Sequence, residues 1–93
     1  MSIYVLFGKY TAESIKGASA KRTEDAAALI KKLGGEVVSG YALLGETDLL
    51  LVVNLPDTER AMRASAGLTR LTGIAFRTSP AVSLKEFDQL ITQ

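Results

Sequence analysis

Three side chains of this sequence are the best equipped to carry chemistry: Tyr41, Asp48 and Arg77. Asp48 opens an otherwise apolar stretch, Leu49 to Val53, where burial would raise a carboxyl pKa and suit it to act as a general base or a ligand anchor. Its structural alternatives are an ion pair with Arg77 or a carboxylate that caps a turn. Arg77 is the one charge in its own apolar stretch. A guanidinium there can grip a carboxylate or phosphate through two parallel hydrogen bonds, or bridge a subunit interface. Tyr4, Tyr10 and Tyr41 offer hydroxyls that donate to a carbonyl, although buried tyrosines usually satisfy that group within the protein. Glu46 and Asp48, two residues apart, resemble a carboxylate pair with divided acid and base roles, or an exposed turn. Lys9, Lys16, Lys21 and Arg22 surround a polar stretch that could close as a lid, with Lys9 and Arg22 as anion contacts, or could form a solvated loop.

The rest of the composition narrows the chemistry. The 93 residues include no Cys, His or Trp. That excludes a thiol nucleophile, a Ser-His-Asp triad and a His- or Cys-ligated metal. No Walker loop, dinucleotide fingerprint or metal-ligand spacing occurs, so neither a metal nor a cofactor is expected. Eleven basic against ten acidic residues leave a formal charge of +1, too little to favour nucleic acid by phosphate neutralisation. The longest purely apolar run, Leu49 to Val53, falls far short of the ~20 residues of a membrane span. The opening residues, Met1 to Phe7, lack a basic region and a cleavage site, so a cytoplasmic protein is expected.

The elements that must position these residues follow from periodicity and breakers. Ile3 to Lys9 reads as a strand, and the stretch after Thr11 as a loop with one helical turn. Ser19 or Thr23 can cap a helix through Leu33, with Ala26, Leu29, Ile30 and Leu33 at helical spacing and Gly34-Gly35 as its stop. Glu36 to Leu44 and Thr47 to Leu55 read as strands joined by a tight turn at Gly45-Glu46. The second of these is apolar enough to be covered on both faces. Asp57 is placed to cap a helix running to about Arg70. Ile74 to Val82 is a fourth strand, an edge or bulged one given Pro80. Ser83 and Glu86 form a capping box for a short last helix, with Val82 placed to staple onto Phe87. The whole chain, 1–93, is expected to be one α+β domain. Its ferredoxin-like βαββαβ order implies an antiparallel four-stranded sheet, order 4-1-3-2, plus a short C-terminal helix.

Alternation splits each strand into two faces. Ile3, Val5 and Phe7, with Leu49, Leu51, Val53, Ile74, Phe76, Val38, Gly40, Ala42 and Leu44, are assigned to the helix-covered side. The opposite side then holds Leu6, Val37, Leu43, Leu50 and Val52 beside Tyr4, Tyr41, Asp48 and Arg77, too apolar for an open face. Covering those aliphatics is worth about 1.5–3 kcal/mol for each one fully buried. A homodimer with sheets face to face, and room for a higher oligomer, is therefore expected, its polar members lining a cleft.

Several runs resemble a known family. Gly8-Lys9-Tyr10-Thr11, Ser19 with Arg22, Lys32-Leu33-Gly34-Gly35, Tyr41 through Leu49, Pro56-Asp57 and Phe76-Arg77-Thr78 look like the GYD-domain proteins, in order over nearly the whole chain. The resemblance implies a ferredoxin-like fold of the dimeric α/β-barrel type in small prokaryotic proteins, and it picks out Arg22 at its helix start. The naming Gly-Tyr-Asp departs here, as Gly45-Glu46-Thr47-Asp48 has Thr47 where the motif has Tyr.

The function expected is a homo-oligomeric module that binds a small apolar or anionic ligand, or serves as an interaction subunit, through a cleft on the helix-free sheet face. Nucleic acid and membrane are not expected partners. The candidate cleft residues are Tyr4, Tyr41, Asp48 and Arg77. The alternative is an enzyme of the cofactor-independent monooxygenase or isomerase type working in the same cleft. A third reading is an effector domain acting through a separate DNA-binding partner.

Overall fold

A computed structural model describes residues 1–92 of the chain. Its elements are β1 (Ser2–Lys9), α1 (Ala12–Lys16), α2 (Ala20–Lys32), β2 (Glu36–Ala42), β3 (Leu49–Leu55), α3 (Thr58–Thr72), β4 (Ala75–Ala81) and α4 (Leu84–Ile91).

Helix boundaries sit where cap chemistry puts them. The turn after Thr11 is α1, held by a reciprocal box in which Ser14 N donates to Thr11 Oγ1 and Thr11 N to Ser14 Oγ. Ser19 caps α2 through Arg22 N at 3.0 Å, and Thr23 instead donates back to Ser19 O. Gly34, at φ 86°, and Gly73, at φ 76°, take the left-handed conformation that ends α2 and α3. Ser83 caps α4 through Glu86 N, but Glu86 makes no return bond among the described residues, so the box is half formed.

Asp57 caps α3 through Arg60 N at 2.9 Å. That backbone hydrogen bond, with the Arg60 guanidinium beside it, holds the Asp57 carboxyl below its ordinary pKa. A depressed carboxyl adds stability above its unfolded pKa and loses it as pH falls through the folded one. Asp57→Asn keeps a capping oxygen but removes the titration. Thermal melts across acid pH should therefore show a shallower decline for the variant than for the parent.

The four strands form one antiparallel sheet in the order β2-β3-β1-β4, which read from its other edge is 4-1-3-2. β4 is an edge strand, where the missing N–H of Pro80 is tolerated. Helices α2 and α3 pack on one face and against each other. Leu6, Ile30, Val53, Leu55 and Leu68 are the largest side chains fully buried between the layers.

Two strands present faces other than those expected. In β1 the helix-side residues are Tyr4, Leu6 and Gly8, while Ile3, Val5 and Phe7 lie on the open side. Both sets are apolar, so alternation alone could not orient the strand. Pairing decides it: Tyr4 lies opposite Val53 and Leu6 opposite Leu51, which belong to the core side. Gly8 sits where a Cβ would come within 2.9 Å of Phe76 Cε1 and 3.2 Å of Leu49 Cβ, so any larger residue would have to displace the Phe76 ring.

In β2 the register shifts between Val37 and Ser39, a bulge that leaves Val38 as an extra residue. Val37 consequently packs on the core, while Tyr41, opposite Leu50, faces the open side. The strand also stops at Ala42. A six-residue loop rather than a tight turn leads to β3, closed by Leu43 N donating to Asp48 O at 2.8 Å, and Leu44 stands fully exposed at its tip.

The last helix is set apart. α4 makes no substantial contact with the rest of the domain, and Leu84, Phe87, Leu90 and Ile91 are all exposed. The radius of gyration, 13.8 Å, correspondingly exceeds the roughly 12 Å of a compact chain this long. Among the described residues no helix is long and apolar enough to cross a membrane.

Candidate functional site

The four residues expected to share a cleft occupy three different environments. Tyr4 is buried beneath α3, with its hydroxyl 3.5 Å from Thr58 Oγ1. Tyr41 and Arg77 both face the open side, but on opposite edge strands. Three inter-strand spacings separate those strands, roughly 14 Å. Arg77 lies over the Phe7 ring, 5.9 Å from its centroid, a cation–π contact that covers part of the open face.

Asp48 is not paired with Arg77; it lies at the start of β3, beside the end of β1. Its carboxylate accepts from Tyr10 N at 2.9 Å, its own N–H donates to Gly8 O, and its Oδ2 stands 3.9 Å from Lys9 Nζ. It therefore clamps the chain as β1 turns into the α1 segment. Asp48→Ala leaves Tyr10 N without its acceptor and should cost about 1–2 kcal/mol. Hydrogen exchange should quicken at Tyr10 and through α1, whereas exchange in α3 should stay unchanged.

The two surfaces of the sheet differ sharply. The open side presents Ile3, Val5, Phe7, Leu50 and Val52 as a continuous apolar centre, half-buried by its own neighbours and covered by no helix. On the other side a cavity of about 130 Å³ lies between α2 and the sheet. Ala26 and Ala27 of α2 face Leu49, Leu51 and Phe76 across it, and Tyr10, Ser19 and Arg22 stand among its lining residues. A wider hollow of about 340 Å³ runs beside α3 past Tyr4, Ser65 and Thr78. Its hydroxyls are already paired, Thr78 with Ser65 at 2.9 Å and Tyr4 with Thr58.

The sequence singled out Arg22, which lies in the cavity wall, and Lys9, which is exposed beside Asp48. It did not single out the cavity. The signal for it was the pair Ala26-Ala27: small side chains on a helix beside a sheet leave space that larger ones would fill. Among the described residues no three acidic, His or Cys side chains gather to hold a metal ion.

No curated protein matches the chain significantly. Among solved structures, a leucine response regulatory protein of Mycobacterium tuberculosis (LrpA) superposes with a TM-score of 0.58 at 13% identity, over 88% of this chain and 51% of that one. This chain thus spans about half the length of that protein, and the likeness is one of α+β, ferredoxin-like fold alone. The family model of the GYD domain matches residues 4–91. With nearly the whole sequence matched, the chain belongs to the GYD domain family.

Proposed function

We propose that this protein is a self-associating module, a homodimer whose two open sheet faces pack together as an α/β barrel, and that it works as a small-ligand-binding or interaction subunit. The observation that carries the reading is the uncovered apolar centre of the sheet, Ile3, Val5, Phe7, Leu50 and Val52. A contiguous apolar patch that no helix covers marks an interface.

Size supports a role for the last helix in the same contact. Four strands of about seven residues give a face of roughly 19 by 23 Å, on the order of 400 Å² per chain. A stable interface takes about 800 Å² from each partner. The four exposed apolar side chains of α4 supply the kind of surface needed to make up the difference. An enzyme working in a cleft on this face would need Tyr41, Asp48 and Arg77 together, and their separation favours the binding and assembly reading instead.

Sedimentation equilibrium tests the proposal. The unmodified chain should run as a dimer at micromolar concentration. Val52→Lys, at the middle of the open face, should shift it to a folded monomer by circular dichroism. An unmodified chain that sediments as a monomer would overturn the reading.

A further inference from the structure

We propose that the cavity between α2 and the helix-covered side of the sheet is a binding site for a small carboxylate with an apolar body, of the size of an aromatic monocarboxylic acid. It lies on the opposite side of the sheet from the self-association face and does not depend on it.

Volume and lining set the body of the ligand. The cavity holds about 130 Å³, comparable with the roughly 150 Å³ of an engineered apolar cavity that takes up benzene. Its walls are mostly aliphatic and aromatic, from Ala26, Leu49, Leu51, Ile74 and Phe76.

The polar groups set the head. Most are already spent within the protein. Ser19 Oγ accepts from Arg22 N, Thr23 Oγ1 donates to Ser19 O, and Thr72 Oγ1 lies between Leu68 O and Ile74 N. Two are not. Among the described residues the Tyr10 hydroxyl and the second terminal nitrogen of Arg22 have no protein partner, and Arg22 forms no salt bridge. A half-buried guanidinium without a carboxylate, beside an apolar hollow, is complementary to an anion that carries its own apolar group.

That guanidinium is also held in place before any ligand arrives. Its first terminal nitrogen donates to Ser14 O at 2.6 Å, and it passes so close to Gly17 that a Cβ there would stand 2.8 Å away. The Tyr10 backbone is fixed from the other end by Asp48. The segment from Tyr10 to Ser19, whose two ends line the site, is thus pinned at both ends, and the Arg22 guanidinium is held beside the cavity without further ordering.

The probes are sodium benzoate and its neutral counterpart benzyl alcohol, titrated into isotope-labelled full chain up to millimolar concentration while backbone amide shifts are followed. Benzoate should move the amides of Ala18, Ala26, Leu51 and Phe76, and should bind about tenfold or more tightly than benzyl alcohol. Arg22→Met should abolish that preference while leaving weak binding of the alcohol. Ala26→Leu, which fills the cavity, should block both probes, with Ala27→Leu as the substitute if the first variant does not fold.

Three results would each overturn the proposal: no shifts in the folded parent, which makes the cavity a packing void only; shifts confined to the open sheet face; or an Arg22→Met protein that still prefers benzoate. Should Arg22→Met not fold, equal affinity of the parent for the two probes counts against the proposal just as directly.

Discussion

Leu6→Ala should destabilise the protein by about 3 kcal/mol, within the 2–5 kcal/mol typical of truncating a buried leucine. Leu6 has no solvent exposure and sits on the central strand β1, opposite Leu51 on β3 and Thr78 on β4. Removing its side chain loses both its transfer from water and the contacts of the atoms around it, because strands paired on both sides cannot collapse to fill the gap. A domain of this length has only about 5–14 kcal/mol of stability in all, so the midpoint of a urea titration should fall markedly with its slope unchanged. The neighbouring substitution Val5→Ala supplies the control. Val5 lies on the open side, half-buried, and its loss should cost the isolated domain less than about 1.5 kcal/mol. If Val5→Ala proved the more damaging under conditions where the protein is monomeric, β1 would face the other way.

Gly35→Ala is expected to be comparably severe, about 3 kcal/mol, from a single added carbon. The new Cβ would stand 2.0 Å from Asn54 O and 2.7 Å from Leu55 Cδ2. The first of these is backbone on the central strand β3, and Glu36, next in sequence, is already paired with Asn54. Relief therefore requires separating the start of β2 from β3, not turning a side chain, and overpacking against backbone lies at the costly end of its usual range. Chemical denaturation of the variant measures the loss. Amide exchange should also show which bonds open, with protection falling first at Val37 and Val53. Unchanged stability would mean that the close approach at Gly35 is wrong.

Gly34 and Gly35 show what is legible in a sequence of this kind and what is not. The pair reads as a helix stop, and Gly34 is one, with its positive φ. The role of Gly35 depends on Asn54 and Leu55, nineteen and twenty residues further on in β3, and no local pattern announces it. The same division runs through the chain. Ser19, Asp57 and Ser83 are recognisable caps because a cap bonds within three residues of itself. The βαββαβ order is legible because each element carries its own period and its own breakers. The faces of β1 were not, since Ile3, Val5 and Phe7 are as apolar as Tyr4 and Leu6, and only pairing with β3 separates them. In β2 the bulge at Val38 reverses the alternation midway, and nothing about the residue type marks it.

The candidate site divides in the same way. Tyr41 and Arg77 share a face, as alternation requires, but that says nothing about the width of the sheet between them. Asp48 looked like a chemical group because it precedes an apolar strand. Its partners, Tyr10 N and Gly8 O, belong to another strand end, and there the carboxylate is a brace. The inversion of β1 changes which residues form the apolar open face without removing it. Leu50 and Val52 remain, Ile3, Val5 and Phe7 take the place of Leu6, and the bulge in β2 moves Val37 to the core.

Face-to-face assembly is the central claim, and contacts between chains test it most directly. In an equal mixture of isotope-labelled and unlabelled protein, filtered nuclear Overhauser spectra record only contacts between different molecules. The account predicts cross-peaks linking Val5, Phe7, Leu50 and Val52 of one chain to the same group of residues on its partner, with further peaks from Phe87 and Leu90 of α4. A mixture in which those methyl and ring protons show no intermolecular peaks, or in which the only such peaks arise from α2 and α3, would contradict it.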